Sequence, residues 1–234
     1  MSKKILLLIT LCALVPARSS QGGVVNGGFE MGILTGWTLA GSGQATGSGI
    51  GVTPTEGIFQ GYIETTGNFT VSAPAVAASL GVTGPAISGL GAGVPVNGSG
   101  LSQNVIVSAG DTLTFDWNFL TDELSESPTF NDFGFFTISG AAYLLASRNS
   151  STYDLVSPPA GFDGQTDWST QTYTFPAAGA FTIGFGVFNV GDAGHNSVLL
   201  LDGISISVPE PSSLVLGIAG LVGIGLVALR KKIR

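Results

Sequence analysis

Fifteen carboxylates, one histidine and one cysteine are the groups of this 234-residue chain that acid–base, nucleophilic or metal chemistry could use. His195 stands in the loop Gly191-Asp192-Ala193-Gly194-His195-Asn196, and no Gly-x-Ser-x-Gly elbow supplies a serine for it to activate. One histidine and one cysteine are too few for zinc, which takes nitrogen and sulfur ligands in sets of three or four. Two carboxylates about 5–9 Å apart could cleave a glycosidic bond, but no spacing singles out a pair. Oxygen-only chemistry remains. Asp122, Glu123, Asn131 and Asp132 bracket a short connection with no basic residue near it in sequence. Their mutual repulsion would be relieved by a hard cation such as Ca²⁺ or by solvation alone. No EF-hand spacing is present. Among the aromatics, Trp37 and Trp117 read as core, whereas Tyr153, Phe162 and Trp168 lie in the polar stretch 148–170 with Arg148. There they would either stack on a sugar face or pack onto their own domain. The glycine runs around Gly47 and Gly89 lack the Lys-[Ser/Thr] and following helix of a phosphate cradle.

Charge is sharply partitioned. Fourteen of the fifteen acids lie between Glu30 and Asp202, with Arg148 the only basic residue among them. A field of that sign repels nucleic acid, which excludes it as a partner. The remaining bases sit at the two ends. Lys3 and Lys4 precede an apolar run of about eleven residues, Ile5 to Val15, and Ala17-Arg18-Ser19 follows as a cleavage site. Residues 1–19 are therefore expected to be a secretory signal peptide. Cys12 lies inside that run, so the mature chain carries no cysteine and no disulfide.

At the other end, residues 212–229 contain no charge and are followed by Arg230-Lys231-Lys232-Ile233-Arg234. Eighteen residues at about 1.5 Å each span roughly 27 Å, so a transmembrane helix with its basic end in the cytoplasm is expected. Immediately before it stands Pro209-Glu210-Pro211. Two prolines around an acid enter neither a helix nor a strand ladder, so the triplet stays extended and accessible. Triplet, apolar run and basic tail, in that order over residues 208–234, resemble the PEP-CTERM sorting domain. That resemblance implies an exosortase-type sorting enzyme as partner, cleavage near the triplet and only temporary attachment to the membrane.

The part between the two ends must position any site, and its periodicity is that of strands. Leu113, Phe115, Trp117 and Phe119 alternate with Thr112, Thr114, Asp116 and Asn118. Further strands are expected over residues 102–108, 133–139, 142–145, 171–175, 181–190 and 197–207, with earlier ones near 37–39, 51–53 and 60–65. Many short strands separated by turn residues predict an all-β antiparallel β-sandwich. Residues 71–100, rich in Ala, Gly, Ser and Pro and without charge, read as a flexible insertion with one helical turn near 75–80. One domain over residues 24–207 is expected.

Asn26-Gly27-Gly28-Phe29-Glu30 with Gly36-Trp37 opens this domain, and Leu201-Asp202-Gly203-Ile204 closes it. The pairing resembles the galactose-binding-like jelly rolls that include many carbohydrate-binding modules. That resemblance implies first and last strands side by side, with Glu30 and Asp202 holding a structural calcium. Trp117–Glu123, Phe130–Phe136 and Val187–Asp192 are similar to segments of variably anchored bacterial surface proteins, a family defined by architecture and not by activity. Three functions stand in order: a structural or interaction protein of the cell surface or extracellular matrix, a carbohydrate-binding module for exopolysaccharide, and a glycan-active enzyme. The first, non-enzymatic, is the expectation.

Overall fold

The computed structural model describes residues 23–66, 69–123, 129–150 and 158–209. The signal peptide, the apolar run 212–229, Glu210, Pro211 and Tyr153 lie outside the described residues. Among the described residues no helix is long and apolar enough to cross a membrane.

Two antiparallel sheets face each other. In chain order the strands are β1 (Thr38–Ala40), β2 (Ser42–Thr46), β3 (Gln60–Glu64), β4 (Val71–Ser72), β5 (Pro95–Val107), β6 (Thr112–Thr121), β7 (Phe133–Ile138), β8 (Ala141–Ser147), β9 (Gly164–Gln165), β10 (Ser169–Thr174), β11 (Gly179–Val190) and β12 (Ser197–Ser207). One sheet runs β1-β5-β11-β7-β8, with β4 also on β5. The other runs β10-β6-β12-β3-β2, with β9 also on β6. This is the all-β sandwich that the alternation predicts. Leu113, Phe115, Trp117 and Phe119 all point into the space between the sheets and are buried there with Ile183, Phe185, Val187, Leu199 and Leu201. Phe115 meets Phe185 and Phe136 edge-on, at 4.9 and 5.3 Å between ring centroids. The opening motif plugs one side of this core. Phe29 stacks on Trp37 at 5.8 Å, and the Trp37 indole donates to the Asn26 carbonyl. The Ile204 N–H donates to the Gly27 carbonyl at 3.1 Å, so the opening motif lies beside β12, but the first and last strands are not neighbours, since β1 pairs with β5 in one sheet and β12 with β6 and β3 in the other.

Residues 71–100 differ from the loop-like reading. They hold β4, helix α1 (Ala73–Ser79), helix α2 (Gly84–Ser88) and the first six residues of β5. Val76, Leu80 and Ile87 are buried against Phe133, Phe135 and Phe188, which project from the outer face of the first sheet. Glycines make this cover possible. A Cβ on Gly100 would lie 3.0 Å from Val76 and one on Gly186 only 2.3 Å from the Phe135 ring. The residues that suggest loose chain are those that let a helix settle on the sheet. Two smaller differences share one cause. β2, Ser-Gly-Gln-Ala-Thr, has no large apolar residue to reveal its alternation. The strand expected at 51–53 is instead an unpaired stretch after a short 3₁₀ turn, Ser48–Ile50, which ends at Gly51 with φ of 86°.

Candidate functional site

The segment from Thr53 to Phe59 crosses the outer face of the second sheet, and two carboxylates hold it. Asp202, on β12, is fully buried. Its Oδ2 accepts the Thr55 N–H at 2.7 Å, the Thr55 hydroxyl at 3.0 Å and the Glu56 N–H at 3.0 Å, while Oδ1 accepts the Gly203 N–H at 2.9 Å. Glu30 is exposed and accepts the Ile58 N–H at 3.0 Å and the Phe59 N–H at 2.9 Å. Gly57, at φ of 57°, lies so close to Glu30 that a Cβ there would fall 2.2 Å from the carboxyl carbon. The structure thus brings both residues of the jelly-roll resemblance to one loop. They meet it through its amides. The Asp202 oxygens take hydrogen bonds from two amides of the loop, the Thr55 hydroxyl and the Gly203 N–H, so any Ca²⁺, which gathers six to eight oxygens, would share the carboxylate with these donors. Burial pushes the Asp202 carboxyl above its ordinary value, against the four donors that pull it down.

The second acidic group gathers where β6, β11 and β12 meet at one end of the sandwich. Asp132 is buried, with Oδ1 accepting the Val190 N–H at 2.8 Å and Oδ2 the Ser197 hydroxyl at 2.7 Å. Asp122 accepts the Asn196 N–H and lies 3.3 Å from the His195 Nδ1. Arg148, expected in a binding loop, is buried instead. Its Nε donates to the Glu123 carbonyl at 2.6 Å and its N–H to the Asp132 carbonyl at 2.8 Å. Asp122 and Asp132 therefore each secure the β11–β12 connection. Among the described residues no three acidic, histidine or cysteine side chains converge closely enough to hold a metal ion.

Phe162 and Trp168 do come together, but as packing. Both lie partly buried against Val52, Leu120, Val198 and Leu200, and the Trp168 indole donates to the Thr53 carbonyl at 2.9 Å. An open groove of about 500 Å³ occurs elsewhere, along the β2–β3 edge of the same sheet. In register, Ser42 faces Glu64 and Gln44 faces Tyr62. The Ser42 hydroxyl and the Tyr62 hydroxyl each donate to Glu64 at 2.9 Å, and Phe69, 75 % exposed, forms part of the wall. Burial and then the neighbouring Glu64 charge hold the Tyr62 hydroxyl well above its ordinary pKa, so it remains a donor. Sequence reading missed this group because β2 itself was invisible. The polar alternation of Ser42, Gln44, Tyr62 and Glu64 was the available signal.

Two outcomes follow from this chemistry. Asp202→Asn places an amide group among N–H donors however it turns, so stability falls by about 1–3 kcal/mol and the melting temperature drops. A drop in the wild-type melting temperature on adding EDTA would support the calcium expectation, because a ligand of the native state must stabilise it; an unchanged melting temperature would remove it.

A further outcome concerns pH. Burial raises the Asp132 carboxyl to about 6 from the ordinary 3.8. Burial lowers His195, but the charges of Glu123 and Asp122 outweigh that and hold it above 6.5. Both groups bind protons more tightly folded than unfolded, so their stabilisation is complete at low pH and lost as pH rises through the folded values. Between pH 5 and 8 Asp132 alone accounts for about 1 kcal/mol, and the melting temperature falls by about 2–4 °C. Asp132→Asn flattens that slope. A melting temperature that rises from pH 5 to 8 would contradict the assignment.

Residues 207–232 match the model of the PEP-CTERM protein-sorting motif. No curated protein matches the chain. Among solved structures the chain is similar to the carbohydrate-binding module TmCBM61 in complex with β-1,4-galactotriose, at 13 % identity and a TM-score of 0.43, covering 78 % of this chain and 94 % of that one. It is also similar to the K3 adhesin domain of Lys-gingipain from Porphyromonas gingivalis, at 19 % identity and a TM-score of 0.41, covering 80 % and 99 %. A third is the xylan-binding domain of Xyn10C from Paenibacillus barcinonensis, at 14 % identity and a TM-score of 0.35, covering 81 % and 96 %. The end of β12 thus leads directly into a PEP-CTERM sorting motif, which gives the chain an exported, cell-surface or extracellular destination.

Proposed function

We propose that this chain is a non-enzymatic surface or matrix protein, held in the inner membrane by residues 212–229 until an exosortase-type enzyme cleaves near Pro209-Glu210-Pro211. The observation that carries the proposal is the sorting motif beginning at Ser207, the last residue of β12. A structural or interaction role is supported by how the acids are used. Asp202, Glu30, Asp132 and Asp122 each receive amide donors from a loop or connection of their own domain. Mass spectrometry of the surface-located protein is expected to find no peptide beyond Pro211. Full-length chain persisting in the inner membrane would show a permanent anchor instead.

The β2–β3 groove favours a second reading, in which the sandwich also holds exopolysaccharide. An exposed ring at Phe69 beside the Gln44 amide, the Tyr62 hydroxyl and the Glu64 carboxylate offers an apolar sugar face and its hydroxyls complementary partners. On a glycan array the processed protein retains neutral polysaccharide, and Phe69→Ala weakens retention about tenfold, the loss of about 1.4 kcal/mol. Uniform failure of the wild type to bind would remove this reading.

A further inference from the structure

The sorting signal leaves the sandwich at one end of the strands, and that end differs in kind from the other. Thr112 pairs with both Ser207 and Thr174, so β6 begins where β12 and β10 finish. Two turns meet there, Ser108–Asp111 between β5 and β6 and Phe175–Gly179 between β10 and β11. The Gly110 N–H donates to the Phe175 carbonyl and the Phe175 N–H to the Asp111 carbonyl, each at 2.8 Å. Pro209 lies over this pair, within 3.7 Å of where a Gly110 Cβ would stand. Ala109, Pro176, Ala177, Ala178, Ser207 and Val208 are exposed. The one charged residue in the two turns, Asp111, is buried, with its carboxylate accepting the Ser108 N–H at 2.6 Å.

The opposite end is acidic. Thr121 pairs with Ser197 there, and Asp122, Asp192 and His195 stand beside them. Ten residues of β6 separate the two ends, a distance of about 30 Å, or about four Debye lengths at physiological salt. The two ends also differ in reach. From Ser207 to Pro211 the chain spans at most about 14 Å. Any enzyme that engages the triplet must therefore come up against these turns.

From this geometry we infer that the small, uncharged tip formed by residues 108–111, 175–179 and 207–209 is a docking surface for the membrane-embedded sorting enzyme. The inference rests on the sorting reading above and adds that the folded domain takes part in recognition. Ala and Gly let the enzyme approach the triplet closely, and burying Asp111 removes the charge that such a contact would have to desolvate.

The test follows conversion of full-length to processed chain in cells that carry the sorting enzyme. Ala109→Glu with Ala177→Glu, and the same pair changed to Lys, each slow conversion at least tenfold, while Ala193→Glu at the opposite end leaves it unchanged. An eight-residue Gly-Ser spacer between Val208 and Pro209 slows conversion of the otherwise wild-type chain to a similar degree, because it carries the triplet away from the docking surface, and it leaves the tip variants slow; unchanged melting temperatures of all these chains exclude misfolding. Conversion of the tip variants at the wild-type rate, or a spacer that restores them or leaves the wild-type chain at full rate, would overturn the inference, because rescue by distance marks obstruction by the added side chains and not loss of a docking contact. Slowing by Glu with acceleration by Lys would also overturn it, since that pattern marks lipid charge as the cause. A wild-type chain that is never converted would refute the sorting reading itself.

Discussion

Fourteen carboxylates share the central part of this chain with a single guanidinium, so ion pairing cannot satisfy them. That imbalance shapes the structure. A buried carboxylate without partners is among the most costly groups a fold can contain, and here the partners are backbone amides. Asp202 takes Thr55, Glu56 and Gly203; Asp132 takes Val190; Asp122 takes Asn196; Asp111 takes Ser108. Each acid thereby fixes a loop or turn that strand pairing alone would leave undetermined. Asp202, Glu30, Asp132 and Asp122, which the sequence offered as calcium ligands, also serve as internal staples in this fold. The one guanidinium follows the same logic, since buried Arg148 binds the Glu123 carbonyl.

The two sheets are closed from outside by different means. On the first, α1 and α2 lay Val76, Leu80 and Ile87 over Phe133, Phe135 and Phe188, seated on a floor of Gly100 and Gly186. On the second, the loop stapled by Asp202 and Glu30 meets Trp168 and Phe162 above Leu120, Val198 and Leu200. Packed aromatics and buried acids already bonded to their own loops are less accessible to a ligand than exposed groups. The β2–β3 groove and the uncharged tip are left. The groove presents the exposed Phe69 ring and the exposed Gln44 side chain, and the turns of the tip carry no exposed charge.

Much of this was legible in order. The alternation of Leu113 to Phe119 is dictated by the two-residue period of a strand with one face in a core, and it held over all four residues. Trp37 and Trp117 were placed correctly for the same reason. Residues 71–100 were not, because Gly98 and Gly100 look alike in sequence whether they lie in a loop or beneath a helix. Only the neighbour that a Cβ would strike distinguishes them. Glu30 and Asp202 were correctly grouped, but the identity of their partner depended on amides of residues 55–59, which carry no side-chain signal at all.

By itself the sequence determined the export address and the sandwich, since both rest on local patterns: a triplet before an apolar run, and apolar residues at every second position. Tertiary structure decided what each acid and aromatic does. Whether a carboxylate binds a cation, an amide or water is set by the groups within about 3 Å of it. In this fold many of those groups come from residues distant in the chain, 147 positions away for Thr55 and Asp202 and 58 for Val190 and Asp132. The same holds for the tip, where turns distant in the chain meet beside the last strand and leave the sorting signal a surface without charge.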